Sequence, residues 1–239
     1  MHFIKGFLNS ETKKEAKKSQ KELVNWARGS KSRVHLDTII SPSFTSAIAQ
    51  CVQLPGLSGK GNNLFLMEYD PKNIENRDQL LDNLAILEAA DLDHVLLRSS
   101  GRAYGNKHDI HLWITPDDGE NASLMILLAY IIQSHPDWNE ANISVYFIHQ
   151  GSDDDHATQI RDQILEGRIP IAEQNIEFIP TKTEEEVTEK IINKSGGADL
   201  VILGFFEGKK ATDHGSLFER YLGLGETMFV HSNRAKIIK

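Results

Sequence analysis

The segment from Asp109 to Phe147 limits the possible folds more than any other part of the chain. It reads as a short apolar stretch, an acidic turn containing Gly119, an almost wholly apolar stretch from Leu124 to Ile132, and a second apolar stretch ending at Phe147. A strand, a helix and a parallel strand that are buried on both faces give this pattern. The segment therefore predicts a β-α-β unit.

The same alternation extends over the rest of the chain. Short apolar or β-branched stretches alternate with helical patterns, which is typical of parallel sheets covered by helices. The predicted strands are 2–7, 34–40, 64–69, 94–98, 110–115, 143–149, 176–180, 200–206 and 227–231. The sequence thus predicts an α/β protein.

The order of these elements indicates a duplication. From residue 110 onward we count five strands and four helices, whereas the first hundred residues contain the same series without its opening strand and helix. We predict two doubly wound parallel-sheet halves, 1–104 and 105–239, joined by the polar stretch 99–107. In a sheet of order 3-2-1-4-5 the absent first strand would be the central one. Met1 is therefore expected to lie inside a longer natural protein or to mark a misassigned start.

The charge of the chain is unevenly distributed. The net charge of −8 argues against nucleic acid as a partner, because a nucleic-acid surface needs a concentrated basic patch. The first 33 residues contain nine lysines and arginines and three glutamates, so they carry +6 and the remainder −14. A solvated helix face explains this segment; the alternative is contact of the basic N-terminal helix with anionic lipid or an acidic partner.

Cysteine usage and hydropathy indicate a cytoplasmic chain. A single cysteine, Cys51, excludes an internal disulfide and fits a reducing compartment. Its apolar helical neighbours predict a buried structural thiol. The longest apolar stretch, Leu124 to Ile132, has nine residues, whereas a membrane-spanning helix needs roughly 20.

Several motifs resemble the cytoplasmic C-terminal region of the cation-chloride cotransporters and related amino-acid-permease-like carriers. That region has a similar Trp- and Leu-rich strand, an Asp-Asp-Gly turn, an apolar helix and a connection containing tryptophan, here Trp138. The stretches 34–57, 63–67, 197–203 and 228–231 resemble further pieces of it in the same order.

The resemblance implies two universal-stress-protein-like α/β halves on the cytoplasmic face of a multi-spanning carrier. In such carriers this region dimerises and regulates transport. The implied partners are a second copy of the chain and the membrane domain of the same transporter, and the implied location is the inner face of the cell membrane.

Universal stress proteins often bind ATP through a glycine-rich loop after the fourth strand, because backbone N–H groups there approach phosphates unhindered. The matching segment contains Gly204, Gly208, Gly215 and Ser216. The spacing from Gly204 to Gly208 is too long for the motif, the spacing from Gly208 to Gly215 is too short, and Glu207 adds negative charge. We predict an ordinary strand-to-helix loop here. A free-standing nucleotide-binding protein of the universal stress type is the alternative function.

A second set of candidate residues, Asp117, Asp118 and Gly119, follows the first strand of the second half, where α/β proteins gather ligands. Adjacent carboxylates can hold Mg²⁺ or contact a ribose, but Pro, acid and Gly in this order also favour a simple turn, which we prefer. No nucleophile elbow, P-loop or His-Glu-x-x-His motif occurs. We therefore predict no catalytic residue, no metal site and no bound cofactor.

Overall fold

The computed structural model describes residues 1–29, 34–56, 61–150, 171–205 and 219–234. The strands in these ranges are β1 (His2–Lys5), β2 (Thr38–Ser41), β3 (Leu64–Tyr69), β4 (Asp93–Arg98), β5 (Asp109–Ile114), β6 (Asn142–Gln150), β7 (Ile176–Thr181), β8 (Leu200–Gly204) and β9 (Thr227–His231). The helices are α1 (Ser10–Gly29), α2 (Phe44–Gln53), α3 (Ile74–Leu81), α4 (Leu84–Ala89), α5 (Asn121–Gln133) and α6 (Glu184–Ser195), with a 3-10 turn at Glu173–Asn175.

Each predicted strand has a counterpart in the structure, and most ends agree within a residue. The main difference is β2, which begins at Thr38 rather than at residue 34. Its partner β1 is only four residues long and pairs His2 with Thr38. The residues before Thr38 therefore have no strand beside them in this pair.

The large sheet has the predicted doubly wound order. Its seven strands run β3-β4-β9-β8-β5-β6-β7. The five described strands after residue 105 are parallel to one another, and in spatial order they are the third, second, first, fourth and fifth of their series. This is the 3-2-1-4-5 arrangement. The prediction of an α/β protein with a mostly parallel sheet is confirmed.

The strands of the first hundred residues form two separate parallel pairs. β1 pairs with β2, and β3 pairs with β4. A 3-2-1-4-5 sheet without its first strand retains these two pairs. β4 and β9, the last strands of the two series, pair with each other antiparallel.

The chain divides into two compact units. The smaller unit comprises Met1–Asn62 and Asp82–Ala90, and the larger comprises Asn63–Leu81 and Asp91–Lys239. This division follows the sheets, because β3 and β4 hydrogen-bond into the large sheet. The domain limits 1–104 and 105–239 stay a prediction.

In the smaller unit, α1 and α2 pack against the β1–β2 pair. Its buried side chains include Ile4, Ala27, Ile48 and Leu87. Cys51 is also buried there, as predicted, and burial raises the pKa of its thiol. A raised pKa keeps the thiol protonated and unreactive, which fits a structural role.

In the larger unit, α5 and α6 lie against opposite faces of the sheet. Successive side chains of a strand point to opposite faces. Leu112 packs with Met125 of α5 in the main apolar cluster, whereas the neighbouring Trp113 donates a hydrogen bond to Ser195 of α6 at 2.8 Å. Burying each large apolar side chain in these layers stabilises the fold by roughly 1.5–3 kcal/mol.

The end of the polar stretch between the predicted halves is held by the carboxylate of Asp199 within the larger unit. Asp199 accepts backbone N–H bonds from Asn106 at 3.2 Å, His108 at 2.7 Å and Asp109 at 3.1 Å. Gly105 has a φ of +48°, and a Cβ atom there would lie 2.0 Å from Asp199 Oδ1. The stretch is thus a fixed connection, and Gly105 permits its close approach to Asp199.

A short hydrogen-bond chain lies beneath α6. Ser195 accepts from the Trp113 indole, and its hydroxyl lies 2.9 Å from Nδ1 of His111. Burial lowers the pKa of His111; nearby Lys194 acts in the same direction, while Asp109 opposes both. A neutral imidazole can accept the Ser195 proton, whereas a protonated ring cannot.

Acidification is expected to destabilise this region through His111. In the unfolded chain histidine binds a proton near pH 6.5, whereas folded His111, with its lowered pKa, binds one only at lower pH. The unfolded state therefore takes up the proton first, and the free energy of unfolding falls as the pH drops below about 6.5. Urea unfolding should show that, between pH 7.5 and pH 5, the free energy of unfolding falls less for His111→Asn than for the wild type. Equal losses would contradict the assignment to His111.

Candidate functional site at the carboxyl ends of the central strands

The predicted site residues that the structure describes lie at one edge of the large sheet. β5, β8 and β9 are parallel neighbours, so their carboxyl ends lie together at this edge. Because β4 is antiparallel to β9, its first residues lie there as well. This edge is where doubly wound proteins bind ligands.

Asp118 points inward from the turn after β5 and is 2% exposed. Its Oδ2 accepts from the backbone N–H of Thr115 at 2.8 Å and from the Thr115 hydroxyl at 2.7 Å, and its Oδ1 accepts from Asn121 at 3.1 Å. Burial raises the pKa of Asp118, and these hydrogen bonds oppose that rise. Asp117 and Gly119 on either side are exposed. The two adjacent carboxylates therefore do not converge.

Asn121 connects three elements at this edge. It is fully buried at the start of α5. Its amide nitrogen donates to Asp118 and to the carbonyl of Phe205 at 3.2 Å, while its Oδ1 accepts from the backbone N–H of Ser232 at 2.8 Å. Sequence reasoning missed Asn121 and Ser232. The available signal was a polar residue opening an otherwise apolar helix.

Gly204 closes the network from the end of β8. A Cβ atom at this position would lie 1.6 Å from Asp118 Oδ1 and 3.0 Å from the Asn121 amide nitrogen. Gly204 is therefore in direct contact with the Asp118 carboxylate. Gly208, Gly215 and Ser216, which were predicted in the same loop, lie outside the described residues.

A second polar cluster ties β4 to the end of β9. Asp93 Oδ1 accepts from the Ser232 hydroxyl at 3.2 Å and from the Asn233 N–H at 3.1 Å. The rings of His94 and His231 stack with centroids 4.6 Å apart. Together the two clusters fasten the ends of four strands to one another.

The network is suited to holding structure. Asp118 and Asn121 have their polar atoms engaged by protein groups. Two open clefts, of about 420 Å³ and 450 Å³, flank α6, and Asp118, Asn121 and Gly204 are not among the residues that line them. Within the described ranges, the structure contains no cluster of three or more metal-ligating side chains.

Arg98 forms another buried polar centre at the end of β4. It is 1% exposed, and its guanidinium donates to the carbonyls of Tyr221 at 2.6 Å and Gly225 at 3.1 Å and to the Thr227 hydroxyl at 2.8 Å. Burial lowers the pKa of Arg98, whereas nearby Tyr69 and Glu226 raise it.

Glu226, itself 3% exposed, accepts from the backbone N–H of Ser100 at 3.0 Å and from the Ser100 hydroxyl at 3.1 Å. Arg98 thus fixes the segment before β9, and Glu226 links that segment to the connection after β4.

Helices of the described ranges offer no candidate for a membrane span, since none combines the necessary length and hydropathy. The apolar helix α5 has only 13 residues, which is short of the roughly 20 that a bilayer requires.

Comparison with known proteins identifies the fold. No family model matches the sequence, and no curated protein does. Among solved structures, the chain is similar to the cytoplasmic domain of a prokaryotic cation chloride cotransporter, with a TM-score of 0.64 and 15% identity over 97% of this chain and 84% of that one.

Universal stress proteins are also similar. The one from Archaeoglobus fulgidus DSM 4304 gives a TM-score of 0.56 at 10% identity over 97% of this chain and 81% of that one. A protein from Pseudomonas aeruginosa UCBPP-PA14, described as a universal stress protein, gives a TM-score of 0.55 at 16% identity over 95% of this chain and 80% of that one. The chain therefore has the universal-stress-protein-like α/β fold found in the cytoplasmic domain of a cation chloride cotransporter, as its sequence motifs predicted.

Proposed function

We propose that this chain is a non-catalytic regulatory and dimerising domain of a cation-chloride-cotransporter-like secondary transporter, located at the cytoplasmic face of the cell membrane. The observation that carries the proposal is the structural likeness to such a domain over 97% of the chain, with a TM-score of 0.64 against 0.56 and 0.55 for the two universal stress proteins.

The network at the carboxyl ends of the strands supports this choice over nucleotide binding. In the described part of the edge, Asp118 is buried and in contact with Gly204, the first glycine of the candidate phosphate loop. Among the described residues, a phosphate there would meet a carboxyl group already held by Thr115 and Asn121 rather than free N–H donors.

The regulatory task requires a rigid domain that makes different contacts with different states of its transporter. Such a domain shifts the balance between those states only by its difference in binding free energy. The polar clusters of Asp118 and Arg98 supply rigidity, because each joins segments far apart in sequence. The implied partners are the membrane domain of the same transporter and a second copy of the chain.

The outer face of α5 supports the dimer. Ile131 is 56% exposed, and Leu127 and Tyr130 beside it are only partly buried. Apolar side chains grouped on one helix face are commonly covered by a partner. Sedimentation velocity at tens of micromolar should show a dimer; a monomer alone would remove this part of the proposal.

Membrane fractionation of cells that naturally make the protein tests the central claim. An antibody against this chain should detect a polypeptide in the membrane fraction, and detergent, not high salt, should release it. That polypeptide should be much larger than 26.9 kDa. A 26.9 kDa band confined to the soluble fraction would overturn the proposal.

The likeness to two universal stress proteins favours one other function, that of a free-standing nucleotide-binding protein. Calorimetric titration with ATP and Mg²⁺ separates the two. We expect no binding heat and no thermal shift, whereas saturable binding would favour the alternative.

A further inference from the structure

Helix α1 carries separate basic and acidic stripes. Lys14, Lys17 and Lys21 are exposed and recur at intervals of three and four residues, which places them on one face. Arg28 continues the same line one heptad further. The three glutamates of α1 lie on the neighbouring flank; they are Glu11, Glu15 and Glu22. In the part of the chain that the structure describes, the adjacent Lys18 forms an ion pair with Glu22 at 4.0 Å.

The packing of α1 turns the basic stripe outward. Ala27, roughly 80–140° around the helix from the three lysines, is 4% exposed, and the Gln20 side chain donates to the carbonyl of Leu36 at 3.0 Å. These contacts fix the rotation of α1 on its own unit. The three lysines therefore lie on an exposed flank of α1 that adjoins the buried face.

Two large apolar side chains are exposed where α1 begins. Phe7 is 75% and Leu8 is 76% exposed. The turn that carries them is ordered, because the Thr12 hydroxyl donates to the Phe7 carbonyl at 2.8 Å and Asn9 accepts from the N–H of Thr12 at 2.9 Å. Phe7 and Leu8 are thus held away from the core.

We propose that Phe7, Leu8, Lys14, Lys17 and Lys21, together the α1 surface, dock onto an anionic phospholipid membrane. The lysines would lie over the negative headgroups, and Phe7 and Leu8 would insert into the interfacial layer. This surface goes beyond the regulatory function proposed above and does not depend on it.

The chemistry of the α1 surface favours lipid over an acidic protein. Lysine is a hydrated point charge that suits a diffuse negative surface, whereas arginine suits fixed, bidentate carboxylate partners. The exposed aromatic and aliphatic side chains just before α1 add the apolar component that membrane docking requires. The remaining chain carries −14, so an anionic membrane repels its other surfaces and orients the α1 surface toward the bilayer.

Vesicle sedimentation with the full chain tests the proposal. We expect binding to phosphatidylcholine vesicles containing about 30% phosphatidylglycerol, and at least about tenfold weaker binding to phosphatidylcholine alone. The triple variant Lys14→Gln, Lys17→Gln, Lys21→Gln should weaken binding to the anionic vesicles by at least about tenfold. Phe7→Ser with Leu8→Ser should also weaken it, and should abolish whatever binding survives high salt.

The matched control removes the same number of positive charges from other parts of the chain. Lys72, Lys182 and Lys194 are exposed lysines outside α1, and replacing all three by glutamine should leave vesicle binding within about twofold of the wild type. Equal losses in the two triple variants would overturn the proposal. Absence of binding to anionic vesicles would do so as well. The residues substituted in the α1 surface are exposed, and the ion pair of Lys194 with Glu177 lies at the surface, so melting curves should change little and separate lost binding from lost folding.

Discussion

Replacing Arg98 by methionine is expected to lower the free energy of unfolding by about 3 to 5 kcal/mol. Methionine fills much of the volume of Arg98 but donates no hydrogen bond. The carbonyls of Tyr221 and Gly225 and the Thr227 hydroxyl would lose their donor, and Glu226 would lose a buried cation. Leaving buried acceptors unsatisfied costs about 1–3 kcal/mol each.

Arg98→Lys separates charge from geometry. Lysine keeps the positive charge, but its ammonium group cannot bind several acceptors at once as the planar guanidinium does. We therefore expect Arg98→Lys to lower the free energy of unfolding, but by less than Arg98→Met. Arg234→Met is the matched control, since its side chain is 71% exposed and pairs with Asp91; its loss should stay below about 1 kcal/mol. Urea unfolding gives all three values. A loss below about 1 kcal/mol for Arg98→Met would show that the buried guanidinium does not hold the segment before β9.

Replacing Gly204 by alanine is expected to lower the free energy of unfolding by about 3 kcal/mol. The new Cβ atom would lie 1.6 Å from Asp118 Oδ1, and the carboxylate has little freedom to move because Thr115 and Asn121 hold it. Gly197→Ala is the control, since its Cβ would meet no atom of the described residues within 4 Å.

Asp118→Ala makes the steric argument specific. Alone it should cost about 1–3 kcal/mol, because the N–H donors of Thr115 and Asn121 lose their acceptor. In that background the cost of Gly204→Ala should fall below about 1 kcal/mol, which gives a coupling energy of about 2 kcal/mol in the double-mutant cycle. Additive losses would show that residues 118 and 204 do not contact each other.

The strand and helix positions could be read from local patterns. The apolar alternation of β5 and the apolar length of α5 depend on neighbouring residues, so the hydrophobic periodicity reveals them. The buried polar centres could not be read in this way. Asn121 meets Phe205 and Ser232, which lie 84 and 111 residues away, and Arg98 meets Thr227 across 129 residues.

Asp118 illustrates the limit of the prediction. Its sequence, Pro-Asp-Asp-Gly, indicates an acidic turn, but does not show which carboxylate points inward. The structure buries Asp118 and exposes Asp117, because the N–H of Thr115 and the amide of Asn121 converge on Asp118. Gly204 then approaches from a strand that is distant in sequence.

The sequence alone determined the α/β class, the strand series and the likeness to a carrier's cytoplasmic domain, because these depend on the spacing of apolar residues and on short motifs. The tertiary structure alone decided which side chains meet at the carboxyl ends of the strands, how β4 pairs with β9, and which face of α1 stays exposed. Those contacts depend on sheet pairing, which brings together residues that no local pattern relates.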